Sequence, residues 1–128
     1  MKTIAMVAAG GALGALSRFG LSKLLQDWNP HPAFSVGTLL ANLAGCILMG
    51  ILVVWVGHLE PLQRDAMAAF LLTGFLGSLT TFSTFILEFV KLSEDGYPHL
   101  VATHLVAHLM VGAMGLWAGY HGARKMLG

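Results

Sequence analysis

Residues 74–85 read Gly74-Phe-Leu-Gly77-Ser-Leu-Thr80-Thr81-Phe82-Ser83-Thr84-Phe85, and they lie inside a long apolar segment. Gly74 and Gly77 are poor helix residues, and Thr80 and Thr81 are β-branched neighbours. A helix crossing hydrocarbon through this stretch is expected to break near Gly77 to Thr80. A break frees carbonyl and amide groups that lipid cannot satisfy, so it must be buried in protein or line a cavity. Beyond it, Phe82, Phe85 and Phe89 recur at helical spacing, with Ser83 and Thr84 between them. Broken backbone near mid-membrane, polar oxygens and aromatic edges together read as an ion site.

The rest of the chain fits that reading. Of its 128 residues, 56% are hydrophobic and only 10% are charged, and the charges fall almost entirely between apolar runs. Such a balance excludes an ordinary soluble domain and points to an all-helical integral membrane protein. A net charge of +1 gives no reason to invoke nucleic acid. One cysteine, Cys46, cannot form an intramolecular disulfide. Met1-Lys2 before an apolar run resembles a signal peptide. Arg18 interrupts the small-residue region where cleavage would fall, so this run is read as a retained first helix.

Four spans are expected, at about residues 3–25, 34–56, 66–92 and 98–120, forming one membrane domain. Each supplies the roughly 20 residues that a span requires. Pairs of small residues four apart (Gly10/Gly14, Gly37/Ala41/Gly45, Gly115/Gly119 and Ala118/Gly122) mark faces where helices approach closely. Pro61 presets the first turn of the third helix. Polar residues inside these spans are expensive and therefore informative. Asn42 serves either as hydrogen-bonding glue between helices or as pore lining, and one residue can do both. Arg18 either snorkels to the interface or belongs to an ion path. Glu88 either stands at a water-filled vestibule or pairs with a Lys or Arg. His104 and His108, four apart, share one face of the last helix.

With four spans, both termini and the loop between the second and third helices lie on one side, with Lys2, Arg64, Arg124 and Lys125. The other side holds Lys23 and Lys91, plus Arg18 if it snorkels. Orientation follows the Lys/Arg excess. The excess here is slight, which permits insertion both ways and an antiparallel two-fold dimer.

Three motifs in order now identify a family. Gly10-Gly11-Ala-Leu-Gly14-Ala15-Leu-Ser-Arg18-Phe19, Gly37-Thr38-Leu-Leu-Ala-Asn42-Leu-Ala-Gly45 and the Gly74–Phe85 run each resemble motifs of the CrcB/Fluc fluoride channels, and the Thr-Thr-Phe-Ser-Thr-Phe run is the specific one. The resemblance covers essentially the whole chain. It implies an antiparallel homodimer in the cell inner membrane, with two separate pathways that export fluoride passively from the cytoplasm. It also implies a sodium ion at the dimer centre, held by backbone carbonyls at Gly77 and Thr80 of both subunits. Phe82 and Phe85 match the aromatic pair lining each pathway, Asn42 matches its amide, and Ser83 and Thr84 add hydroxyls.

These residues suit the chemistry. A small, strongly hydrated anion needs replacement donors, which amide N–H and hydroxyl groups supply. A phenyl ring presents a positive edge, and carbonyl oxygens suit a hard cation. This chain departs from the family at His104 and His108, where relatives usually carry aromatic or hydroxyl residues. Either histidine reaches the pathway, or both are neutral groups bonded to neighbouring helices. The rival reading is a small proton-coupled drug exporter, also four-helical and often dual-topology. Such exporters use a carboxylate on the first helix, and none is present here. A scaffold subunit would have no need for the broken helix. No nucleophile–base pairing or metal-ligand spacing suggests an enzyme.

Overall fold

The third apolar segment does not cross as one helix. It runs from Pro61 to Glu94, but the path opens at Thr80 (φ −84°, ψ 152°) and Thr81 (φ −148°, ψ 116°), both extended. The break therefore falls at the two threonines, at the C-terminal edge of the expected interval. Gly77 itself is helical, at φ −62° and ψ −26°. Two consecutive β-branched residues decide the position, each with a hydroxyl that can bond nearby backbone in place of the helix.

The computed structural model describes all 128 residues, Met1–Gly128. Helix α1 is Lys2–Leu24 and α2 is Val36–Gly57. Helices α3 (residues 61–79) and α4 (Phe82–Glu94) are the two halves of the broken span. Helix α5 is Pro98–Leu127. The fold is all-α, with four segments long and apolar enough to cross a membrane. The third span begins at Pro61, earlier than the expected residue 66, because proline occupies the first helical turn and nothing after it breaks the helix. The fourth continues past residue 120 to Leu127. Ser35 caps α2 by accepting the Thr38 N–H at 3.1 Å. Between α4 and α5 the chain reverses at Gly96, whose φ of 76° disfavours any side chain.

Two helices widen locally to π-type turns, α3 over Ala68–Leu76 and α5 over Ala107–Val111. One wide turn leads into the break and the other carries His108. Wide turns of this kind rotate the face that follows them and concentrate at functional sites.

Small residues hold the bundle together by letting backbones touch. A Cβ on Gly10 would strike the Phe70 carbonyl, and one on Gly14 the Phe75 carbonyl, so α1 lies directly on α3. Gly50 and Gly119 bring α2 against α5 in the same way, through the Leu116 and Ile47 carbonyls. Gly45 sits beneath the Thr80 methyl group. The core between these seams is Ala41, Leu76 and Leu79, with Leu21 and Phe75 packed on it. Not every stripe is used: a Cβ on Gly122 would meet nothing within 4 Å, and Ala118 is exposed, so that pair faces outward.

These contacts set a stability test. Gly10→Ala and Gly14→Ala should each lower the thermal midpoint of the detergent-purified protein, by about 1–3 kcal/mol of overpacking. Gly122→Ala should leave it unchanged or raise it, since helix propensity improves by about 1 kcal/mol. Equal midpoints for all three variants would contradict the close α1–α3 seam.

Candidate functional site

The break leaves backbone groups without helical partners, and Asn42 of α2 takes two of them. The Thr81 N–H donates to Asn42 Oδ1 at 2.8 Å, and Asn42 Nδ2 donates to the Thr81 carbonyl at 3.2 Å. The amide thus closes a two-bond clamp on one residue of the break. Its Nδ2 carries a second N–H that this clamp does not use. Asn42 is glue and also lines a cavity, as the sequence reading allowed.

Three further contacts complete the break. Thr80 N–H and Oγ1 both donate to the Leu76 carbonyl, at 3.1 and 2.9 Å. Thr81 Oγ1 caps α4 by accepting the Thr84 N–H at 3.3 Å, and it lies 3.1 Å from Thr84 Oγ1 and 3.3 Å from Ser83 Oγ. From α1, Arg18 Nε donates to the Ser78 carbonyl at 3.2 Å. Arg18 thus has a backbone partner on the broken span. It ties a cation to the carbonyl end of α3, where the helix dipole is negative.

The carbonyls of Gly77, Leu79 and Thr80 remain. The α-helical donor to Gly77 would be the Thr81 N–H, now turned to Asn42, and the donor to Thr80 would be the Thr84 N–H, now turned to the Thr81 hydroxyl. Gly77 is exposed on the surface of the single chain and Thr80 is half-buried. These oxygens are hard, neutral donors freed for another partner.

On the other side of the break lies a cavity of about 310 Å³. Asn42, Thr80, Thr81, Phe82, Phe85 and His108 line it, with Cys46 and Met49 at its α2 wall. Phe82 and Phe85 pack with ring centroids 5.7 Å apart. They differ in setting: Phe85 is 4% exposed, whereas Phe82 is 73% exposed. Ser83 faces outward beside Phe82, and Thr84 is engaged in the cap, so neither lines the cavity of the single chain.

His104 also stands back from it. It is fully buried behind Phe85, stacked on that ring at 4.9 Å with an interplanar angle of 18°. Its Nε2 donates to the Phe85 carbonyl at 3.0 Å, since a carbonyl can only accept. His108 packs on the other part of Phe85, with centroids 4.7 Å apart, and its Nδ1 donates to the His104 carbonyl at 3.0 Å. One histidine thus reaches the cavity wall while the other holds the α4 backbone. Glu88, 6% exposed, pairs with no Lys or Arg. Its Oε2 accepts the Ser35 N–H at 3.4 Å, at the positive end of α2, and lies 3.8 Å from His104 Nδ1.

Missed from sequence were the binding of Arg18 to the break, the Glu88–His104 proximity and the Cys46 wall. Only the helical register of Cys46, four residues after Asn42, hinted at any of these.

Such an arrangement offers a small anion an uncommitted amide N–H beside two phenyl rings in one cavity. The family described as CrcB-like protein, Camphor Resistance (CrcB), matches residues 5–120. A fluoride-specific ion channel, FluC, from Pseudomonas putida is 41% identical over 117 residues, covering 91% of this chain and 92% of that protein. Its namesake from Azotobacter vinelandii is 42% identical over 116 residues, covering 88% and 90%. That of Cereibacter sphaeroides is 40% identical over 124 residues, covering 97% and 96%.

The clamp makes a direct test. Asn42→Leu keeps the volume but strands the Thr81 N–H and carbonyl, each costing about 1–3 kcal/mol when buried and unpartnered. The variant should melt well below the parent. An unchanged melt would mean that the break holds itself without the amide.

Proposed function

Because the chain belongs to the CrcB-like family, we propose that it is a fluoride channel of the inner membrane whose pathway runs along the cavity beside the break. It is a multi-pass transport protein and not an enzyme. The observation that carries the proposal is the clamped break, which gathers an amide, hydroxyl oxygens and two phenyl rings at one cavity. Fluoride sheds water on entering a narrow chamber, and each lost water must be replaced. The second Asn42 N–H and the edges of Phe82 and Phe85 supply that replacement, while the Thr81 hydroxyl spends its hydrogen on Thr84 Oγ1. Ser83 and Thr84 extend the hydroxyl track outward along α4. His108 adds an imidazole at the inner wall, and His104 holds the Phe85 backbone in place. Passive passage down the fluoride gradient relieves the cytoplasm of the ion.

The working unit of this proposal is an antiparallel homodimer with two pathways. Gly77, Phe82 and Ser83 are all exposed on one copy, and lipid is a poor neighbour for open carbonyls. A second copy covers them. With Arg18 engaged at Ser78, the Lys/Arg count on the two sides is four against two (Lys2, Arg64, Arg124 and Lys125; Lys23 and Lys91), a bias weak enough for insertion both ways. At the two-fold axis, the Gly77 and Thr80 carbonyls of both copies would hold a sodium ion. Hard oxygens released from helical bonds fit such a cation. When bound, it supplies positive potential beside the anion path.

Fluoride efflux from liposomes containing the purified chain tests the function. The parent should release fluoride and retain chloride. Phe82→Ile and Phe85→Ile, which keep most of the volume, should lower fluoride release at least tenfold while remaining assembled. Wild-type release from both variants would remove the rings from the pathway.

The assembly has its own test. A terminal cysteine in a Cys46→Ala background, labelled in intact cells, should divide into two populations, and labelling from one side alone would exclude the antiparallel dimer. Prolonged exchange of sodium for a large organic cation should lower the dimer fraction in light scattering. A dimer indifferent to verified sodium removal would exclude the ion.

A further inference from the structure

Glu88 and His104 face each other behind Phe85, and the contact between them needs a hydrogen. His104 is fully buried, and its Nε2 donates to the Phe85 carbonyl at 3.0 Å. A carbonyl only accepts, so Nε2 carries the hydrogen and Nδ1 of the neutral ring is a bare acceptor. That Nδ1 is enclosed and has no hydrogen-bond partner. Glu88 Oε2 stands 3.8 Å from it, on a side chain that is itself buried. An ionised carboxylate has acceptors only. Ionised Glu88 would therefore aim a lone pair at a lone pair, with both groups shut away from water.

No counter-charge stands nearby. From α2 and its cap come neutral groups: the Ser35 N–H at 3.4 Å, the Thr38 hydroxyl, and the Phe34 ring, T-shaped against His104. On α5, His108 lies beside His104 with ring centroids 4.4 Å apart, but its Nδ1–H is spent on the His104 carbonyl. Lys91, on the next turn of α4, is exposed, and Arg18 of α1 is bound to the Ser78 carbonyl. Burying an unpaired charge costs far more than burying a neutral acid that donates a hydrogen bond. Moving the proton onto His104 would create two buried charges where there need be none. Protonated Glu88 can donate to Nδ1 while Ser35 and Thr38 still donate to its remaining lone pairs.

We propose that Glu88 is held as the neutral acid, donating to His104 Nδ1, and that the two form a positioning pair for Phe85. The acid's hydrogen keeps Nδ1 an acceptor and so keeps Nε2 the donor to the Phe85 carbonyl. The same imidazole stacks on the Phe85 ring at 4.9 Å and 18°. One fixed ring thus holds both the backbone and the side chain of a residue that lines the cavity. Neither Glu88 nor His104 lines it, so they act through Phe85 and not on the ion. Their proton is resident and is not exchanged with each fluoride. The inference rests on the fluoride-channel reading and names residues that serve the pathway from behind its wall.

Infrared spectroscopy of the reconstituted full chain at neutral pH reads the proton directly. The other acidic side chains, Asp27, Glu60, Asp65, Glu94 and Asp95, are all exposed, and exposed carboxyls are ionised at that pH. The parent should show the C=O stretch of a protonated carboxylic acid, and Glu88→Gln should lack it. A parent without that band overturns the inference. Fluoride release from liposomes reads the positioning. Glu88→Gln, whose amide N–H replaces the acid O–H, should stay within about twofold of the parent, whereas Glu88→Leu should fall about tenfold, the scale of one stranded acceptor. A mere packing role would be served by leucine as well as by glutamine. Parental release from Glu88→Leu overturns the positioning role, and equal losses in both variants overturn the neutral acid. Should Glu88→Leu fail to assemble, the infrared band and Glu88→Gln still decide. A parent that releases no fluoride overturns the channel reading instead, while the band stands or falls by itself.

Discussion

Two hydrogen bonds between Asn42 and Thr81 carry the rest of the structure. A membrane-spanning segment that stops being helical strands polar backbone where no water can reach it, at several kcal/mol for each group. The Asn42 side chain replaces one helical donor and one helical acceptor at a single residue. The threonine hydroxyls and Arg18 attend to the flanking groups. With those partners supplied, the chain can turn two residues to extended geometry and resume as α4. The cavity, the exposed Phe82 and the freed carbonyls at Gly77 and Thr80 all follow from that interruption.

Close packing makes the clamp possible. Asn42 reaches Thr81 only because α2 lies hard against the broken span, with Gly45 accepting the Thr80 methyl where a larger residue would clash. Gly10 and Gly14 press α1 on α3 from the other side, which also brings Arg18 within reach of Ser78. Association of helices in lipid depends on such contacts and not on expulsion of water. The small-residue seams and the polar site are one device: the first sets the distances that the second needs.

Much of this was legible in the sequence, for identifiable reasons. Hydropathy marked four spans, and glycines with paired threonines inside the third marked the break. Its location shifted only to Thr80–Thr81, because a glycine tolerates a helix whereas the threonine hydroxyls actively replace helical bonds. Pairings across the bundle were not legible. Asn42 and Thr81 are 39 residues apart and Arg18 and Ser78 are 60 apart, and no periodicity states which helix faces which. Glu88 was read as standing at a vestibule or pairing with a Lys or Arg; it lies instead at a helix N-terminus and beside a histidine. The two histidines shared a face as expected, yet local widening of α5 and the position of Phe85 gave them separate tasks.

The central claim is that the clamped break makes a pathway for fluoride and for no other common anion. A bi-ionic reversal potential tests this most directly, with fluoride on one side of a bilayer, chloride on the other, and equal sodium and pH. Current through the reconstituted chain should reverse close to the fluoride equilibrium potential, where chloride contributes nothing. A reversal near zero would mean a pore that accepts both halides. If a pH difference is then imposed, a potential that follows the proton gradient would mean a proton-coupled exporter, and either result would contradict the account.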